Sequence, residues 1–192
     1  HKVYIYYMTE NEIHDICEEY NIRNYTINDD MSIDVNDDVD IYDRDLEELP
    51  LKFNNIEGTF DCGMNDLTSL KNAPKRVEED FSCSLNKLVS LEYGPDYVEG
   101  HFICNHNKIE SLIGSPEYVG KNFNCINNKL ISFKGVSDYI GDDFNLQKNK
   151  IRIFQYFPNV KGKVMMIYNP LEKLWNLFKY KQHIEYFNEL DI

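Results

Sequence analysis

Apolar side chains recur along the chain at a fixed step of 21 residues, from Phe60 to Asn149. The step is set by Phe60, Phe81, Phe102, Phe123 and Phe144, and the copies follow the pattern F-x-C-x-x-N-x-L-x-S-L-x-G-x-P-x-x-V. Self-similarity at a period of roughly 20–29 residues is typical of a solenoid. One copy is too short to bury its own apolar face, so we expect the copies to stack as coils around a shared core.

The start of each copy predicts a strand, because an apolar residue alternates there with an outward one. The inward position after each Phe is held by Cys62, Cys83, Cys104, Cys125 and then Leu146. An asparagine follows each strand, at Asn65, Asn86, Asn107, Asn128 and Asn149. A side-chain amide can bond buried backbone groups of its own coil and of the next, so these residues predict an internal ladder.

The segments on either side of the repeats predict closing structures. Residues 9–22 predict an amphipathic helix, since Thr9 and Glu12 form a capping-box pattern ahead of helically spaced apolar residues. Short alternating segments at 25–27, 33–35 and 39–41 predict strands. We therefore expect an N-terminal cap at 1–38, repeats at 39–169 with degenerate first and last coils, and a C-terminal helical cap at 170–192.

The repeat unit also predicts a fold class. Its core, apolar-x-apolar-x-x-N-x-L, matches the strand and turn of a leucine-rich repeat. The predicted fold is an α/β repeat: a leucine-rich-repeat solenoid with a parallel strand ladder, an N-terminal helical and β cap, and a C-terminal helical cap.

Composition narrows the function classes. The 192 residues carry a net charge of −13, which argues against binding nucleic-acid phosphates, and 42% are hydrophobic, enough for a packed core. No stretch approaches the ~20 apolar residues that span a bilayer, and the first residues lack the features of a signal peptide. Cysteine used as a small interior side chain fits a reducing compartment, so we expect a cytoplasmic protein with no membrane contact.

One acidic run carries the densest charge of the chain. We interpret it as a patch that steers a basic partner, formed by Asp34, Asp37, Asp38 and Asp40. The run begins like a calcium-binding EF-hand loop, but Val39 stands where that loop needs glycine, and Asp45 stands where it needs glutamate. We expect no metal here.

The remaining candidate chemistry is sparse. His101, Cys104 and His106 are close in sequence, but strand alternation directs them to different sides, so they predict no metal site. The sequence shows no Ser/His/Asp set and no glycine-rich phosphate loop. We therefore predict a protein that is not an enzyme and holds no cofactor.

The outward face of the strand ladder is the predicted binding surface. Most of its positions are small and polar, but a few are apolar, which can mark a contact site. The predicted partner-binding residues on this concave face are His101, Ile103, Asn105, Asn124, Ile126, Asn145, Met165 and Ile167.

The repeat resembles a known group of sequences. Its F-x-C strand, N-K-L turn and S-L-x-G-x-P step are similar to the short leucine-rich repeats of tailed-bacteriophage proteins of unassigned role. The flanking segments T-E-N-E-I-H-D-I-C-E-E-Y-N-I and L-P-L-K-F are similar too, so the likeness covers most of the chain. The resemblance implies a phage origin and a leucine-rich-repeat fold, and it transfers no catalytic residue.

Three hypotheses for function follow. The preferred one is a non-enzymatic module that binds and modulates a host or anti-phage defence protein in the bacterial cytoplasm. The second is an acidic mimic of nucleic acid that blocks a DNA-binding host enzyme. The third is a sponge for a small ligand, with a pocket formed on oligomerisation. The sequence leaves the partner and the oligomeric state open.

Overall fold

Two parallel strand ladders run through the coils in the computed structural model, which describes residues 8–173. The elements in chain order are α1 (Glu10–Glu19), β1 (Tyr25–Ile27), β2 (Ile33–Val35), β3 (Val39–Asp40), β4 (Phe53–Ile56), β5 (Phe60–Asp61), β6 (Arg76–Val77), β7 (Phe81–Ser82), β8 (Tyr97–Val98), β9 (Phe102–Ile103), β10 (Tyr118–Val119), β11 (Phe123–Asn124), β12 (Tyr139–Ile140), β13 (Phe144–Asn145) and β14 (Val164–Met165).

Each ladder is a seven-stranded sheet. We call the first the phenylalanine sheet, in the order β3-β5-β7-β9-β11-β13-β14. The second, the valine sheet, has the order β1-β2-β4-β6-β8-β10-β12. The β1–β2 pair is an antiparallel hairpin, and the other pairs in both sheets are parallel.

The strand register confirms the repeat solenoid. Phe81 pairs with Phe60 on one side and with Phe102 on the other, so each coil lies directly on its neighbour. The degenerate first coil joins in register, with Val39 opposite Phe60. The last coil is one residue shorter, because Phe144 pairs with Val164 rather than with a residue 21 positions later.

The second half of each coil differs from the predicted α/β repeat. It forms a strand of the valine sheet, and the coils within residues 8–173 contain no helix between Val39 and Asn169. The physical reason lies in the residues before that strand. Asn72 adopts a left-handed φ of 75°, Tyr93 does so at 70°, and prolines follow at positions 74 and 95. Both features stop a helix from propagating.

The N-terminal helix begins where the sequence predicts it. The Thr9 hydroxyl accepts from the Glu12 backbone N–H, while the Glu12 carboxylate accepts from the Thr9 backbone N–H. The helix ends at Glu19, earlier than the predicted residue 22, and its buried residues Ile13 and Cys17 belong to the same core as the coils. The predicted C-terminal helix falls almost entirely outside the described residues.

Aromatic rings stacked along the solenoid form the centre of the core. The Phe60 and Phe81 ring centroids lie 5.6 Å apart, and those of Phe81 and Phe102 lie 5.4 Å apart, both with planes within 5° of parallel. The next contact, from Phe102 to Phe123, turns edge-to-face at 4.9 Å. All four rings are fully buried, and both arrangements are favourable for aromatic pairs.

Candidate functional site

The asparagine row beside the phenylalanine sheet is fully engaged in backbone hydrogen bonds. In one coil, the Asn107 Nδ2 group donates to the Cys104 carbonyl at 3.3 Å and to the Cys83 carbonyl of the preceding coil at 3.0 Å. Its Oδ1 atom accepts from the Leu88 backbone N–H at 3.0 Å. The same pattern holds at Asn65, Asn86, Asn128, Asn149 and Asn169. These buried amides hold the coils together, which is a structural role.

The cysteine row is equally internal. Cys62, Cys83, Cys104 and Cys125 are buried free thiols. Burial raises the pKa of the Cys62, Cys83 and Cys104 thiols well above their ordinary value, so they stay protonated at neutral pH. A protonated thiol is neither a nucleophile nor a metal ligand. Among the described residues, no group of three or more His, Cys, Asp or Glu side chains is placed to hold a metal ion.

His101 belongs to a row of side-chain acceptors that lies just before each strand of the phenylalanine sheet. Its backbone N–H donates to Asp80 Oδ1 at 2.7 Å, and its Nδ1 atom accepts from the Asn122 backbone N–H at 3.1 Å. Asn122 Oδ1 accepts from the Asp143 backbone N–H in turn, at 2.9 Å. His101 is half-buried, and its Nδ1 atom is engaged within the coil stack.

We expect His101→Ala to lower the free energy of unfolding by about 1 kcal/mol, because it leaves the half-buried Asn122 N–H without its acceptor. His101→Asn should retain most of that stability, since Asn122 performs the same role one coil later. Chemical denaturation followed by circular dichroism measures both. Equal losses for the alanine and asparagine variants would show that the acceptor atom does not matter.

The other predicted binding residues share one face of the phenylalanine sheet. Asn124 pairs with Ile103 on one side and with Asn145 on the other, and Asn145 pairs with Met165. Asn145 is buried at 9% exposure, and its Oδ1 atom accepts from the Gln147 backbone N–H, so it offers little surface.

Four apolar side chains lie on this face. Asn105 Oδ1 accepts from the Ile126 backbone N–H at 2.7 Å, which ties that amide into the stack as well. Ile103, Ile126 and Met165 are half-buried, whereas Ile167 is 46% exposed. These four side chains form what we call the apolar stretch, and it lies toward the C-terminal coils.

Carboxylates line the opposite end of the same face. A groove of about 500 Å³ is bordered by Asp38, Asp40 and Asp61 together with Tyr42 and Thr59. We call it the acidic groove. Its carboxylates are fixed locally, since Asp38 Oδ1 accepts from the Thr59 backbone N–H and Asp40 Oδ1 accepts from the Tyr42 backbone N–H. The acidic end of the face is therefore rigid.

The predicted acidic patch is divided by the structure. Asp37 joins Asp38 and Asp40 around a neighbouring cavity of about 290 Å³, which Arg23 and Arg44 also line. Asp34 instead lies on β2 in the valine sheet. Its Oδ1 atom accepts from the Asn54 side-chain amide and from the Asn55 backbone N–H.

The valine sheet carries a tyrosine column that the sequence reasoning missed. The rings of Tyr97, Tyr118 and Tyr139 stack with centroids 4.7 and 5.1 Å apart and with nearly parallel planes. Arg76 covers the Tyr97 ring at 3.7 Å, and Lys161 Nζ lies 5.9 Å from the Tyr139 ring centroid. The signal was present in the sequence as an aromatic residue directly before the last apolar residue of three consecutive copies.

The surroundings of the tyrosine column raise the pKa of two of its hydroxyl groups. A hydrogen bond to the Glu99 carboxylate raises the pKa of the Tyr97 hydroxyl, and burial raises the pKa of the Tyr118 hydroxyl. These hydroxyls therefore remain neutral donors at physiological pH. Because each ring face is covered by the next ring or by a cation, the column contributes to coil stacking rather than offering free aromatic faces.

The two sheets, whose coil strands pair in parallel, and the continuous internal rows define a β-solenoid repeat protein. Comparison of the chain with protein-family models, curated proteins and solved structures found no match. No helix within residues 8–173 combines the length and the apolar character that a membrane crossing requires.

Proposed function

We propose that this chain is a non-enzymatic protein-binding solenoid of the leucine-rich-repeat type, and that the outer face of the phenylalanine sheet is its docking surface. One observation carries the proposal: the acidic groove and the apolar stretch lie on a single face, formed by consecutive strands in register. Such a face can bury an apolar surface of a partner while the carboxylates pair with its basic residues.

The charge of the chain supports a basic partner. With a net charge of −13, the solenoid attracts cationic surfaces at long range, and the acidic groove concentrates three carboxylates at one end of the face. The apolar stretch then supplies affinity that does not depend on salt. Parallel strands are spaced about 4.8 Å apart, so the face offers contacts along a line of about 30 Å across its seven strands.

The resemblance of the repeat to phage sequences supports a more specific role. In that role the partner is a host or anti-phage defence protein in the bacterial cytoplasm, which the solenoid binds and modulates. This step depends on analogy of sequence, because fold alone does not determine function.

The test is affinity purification from host cells followed by mass spectrometry. We expect wild-type protein to recover a basic partner, and Ile103→Ala combined with Ile126→Ala to reduce its recovery at least tenfold. The matched control combines Val89→Ala with Ile131→Ala, which shortens two exposed apolar side chains outside the proposed face. Equal recovery by all three proteins would contradict the proposal.

The acidic groove alone favours a second candidate, a nucleic-acid mimic that occupies the basic cleft of a DNA-binding enzyme. The substitutions Asp38→Asn and Asp40→Asn remove charge but keep the oxygen atoms that accept from Thr59 and Tyr42. A mimic loses its partner in this variant and in high salt, yet tolerates the isoleucine substitutions. A protein-docking face should instead lose affinity for its partner with both the aspartate and the isoleucine substitutions.

A further inference from the structure

A pocket of about 410 Å³ lies at the edge of the valine sheet, away from the face proposed for docking. Three lysines from two successive coils, Lys52, Lys71 and Lys75, line it, and Tyr93 from the following coil completes the wall. Phe53 and Ala73 supply apolar lining. We call it the lysine pocket. Its volume falls within the range of small-molecule sites, which is about 300–1,000 Å³.

The charge of the lysine pocket is opposite to that of the chain. The whole chain has 33 acidic and 20 basic residues, yet three lysines line this pocket with one acidic residue, Asp30. Asp30 pairs with Lys52 at 2.5 Å, while Lys71 and Lys75 form no ion pair with any residue between 8 and 173. Two ammonium groups therefore remain available for an anion.

Tyr93 lines the same pocket in a strained backbone conformation. Its φ is 70°, a left-handed value that costs an L-residue energy, and its side chain is 63% exposed. The equivalent residues of the next two coils are Gly114 and Gly135, which adopt this conformation freely. Tyr93 therefore presents an exposed aromatic ring beside the three lysines of the pocket.

We infer that the lysine pocket binds a nucleotide, with Lys71 and Lys75 pairing with the phosphate and the Tyr93 ring stacking on the base. Lysine ammonium groups bind phosphate as point charges, and a base can stack on any accessible aromatic face. The binding site lies within one chain and is independent of the docking face.

The test is isothermal titration calorimetry of the full chain with adenosine 5′-monophosphate at low salt. We expect saturable binding, and at least tenfold weaker binding of both adenosine and inorganic phosphate. Lys71→Gln combined with Lys75→Gln should weaken nucleotide binding at least tenfold. The docking-face variant with Ile103→Ala and Ile126→Ala should bind the nucleotide like wild type, which separates this inference from the proposed function.

The Tyr93→Gly variant tests whether the Tyr93 ring binds the ligand or has only a structural role. We expect this variant to have a higher Tm, because glycine relieves the left-handed strain, and at least fivefold weaker nucleotide binding. The matched control is Tyr156→Gly, since Tyr156 occupies the same repeat position with φ 65° and 63% exposure but does not line the lysine pocket. The control should raise Tm and leave binding unchanged.

Any one of four results would overturn the inference. The first is no heat of binding with the nucleotide at millimolar concentrations. The second is nucleotide binding that the lysine substitutions leave unchanged. The third is inorganic phosphate binding as tightly as the nucleotide, and the fourth is nucleotide binding by the Tyr93→Gly variant as tight as by wild type. Either of these two results removes the role of the aromatic ring.

Discussion

Replacing Asn128 with alanine should lower the free energy of unfolding by about 3 kcal/mol. The Asn128 Oδ1 atom is the acceptor for the buried Ile109 backbone N–H, at 3.0 Å. Its Nδ2 group donates to the Cys104 carbonyl of the preceding coil at 3.0 Å and to the Cys125 carbonyl of its own coil at 3.4 Å. Alanine removes all of these bonds and leaves the buried Ile109 N–H without its acceptor.

The matched control for this prediction is the adjacent residue. Asn127 has the same side chain, but it is exposed and adopts a left-handed φ of 57°. We expect Asn127→Gly to leave stability within about 0.5 kcal/mol of wild type, because glycine adopts that conformation without cost. Urea unfolding followed by circular dichroism measures both variants. A loss below about 0.5 kcal/mol for Asn128→Ala would show that the ladder does not hold the coils together.

The rows of the phenylalanine sheet could be predicted because each is fixed by a strict sequence step. A Phe every 21 residues, with Cys and Asn at constant offsets, leaves one way to align parallel strands, and the pairing of Phe81 with Phe60 and Phe102 follows it. A one-residue slip would move every inward side chain to the outer face. The start of the first helix could also be predicted, because a capping box marks where a helix begins. It does not mark where a helix ends, and the predicted end at residue 22 was wrong.

The valine sheet could not be predicted from alternation. Its repeat strands, such as Tyr97–Val98, are two residues long, too short to show a period of two. For this reason the tyrosine column was not predicted. These strands form because each one pairs with the equivalent strands of the coils before and after it. The sequence therefore indicates them only by the recurrence of the same residues from copy to copy, and not by a pattern within a single copy.

Only part of the candidate site could be predicted, because strand alternation does not reveal the hydrogen bonds that polar side chains form with neighbouring coils. Alternation correctly assigns Ile103 and Asn124 to one face, but it does not show that His101 accepts a backbone N–H from the next coil. Asp34 is close to Asp37 in sequence, yet it bonds to Asn54 within the other sheet. The lysine pocket draws residues from several coils and had no local signature.

The largest loss of stability is expected from Phe102→Ala, at about 4 kcal/mol. Phe102 is fully buried, and its ring contacts Phe81 at 5.4 Å and Phe123 at 4.9 Å, so alanine opens a cavity in the middle of the aromatic row. Neighbouring coils cannot close this cavity, because the backbone hydrogen bonds on both sides fix their spacing. Phe102→Leu should recover more than half of the loss.

The position of Phe102 also predicts how the protein unfolds. In a solenoid each coil contacts only its neighbours, so a weak central coil separates the stack into two parts. Amide hydrogen exchange should therefore lose protection first at the coils around Phe102, while protection near Ile33 and Val35 persists. Val89→Ala is the control, since Val89 is 57% exposed and should change stability by less than about 0.5 kcal/mol. Uniform loss of protection along the chain would instead indicate that all coils unfold as a single cooperative unit.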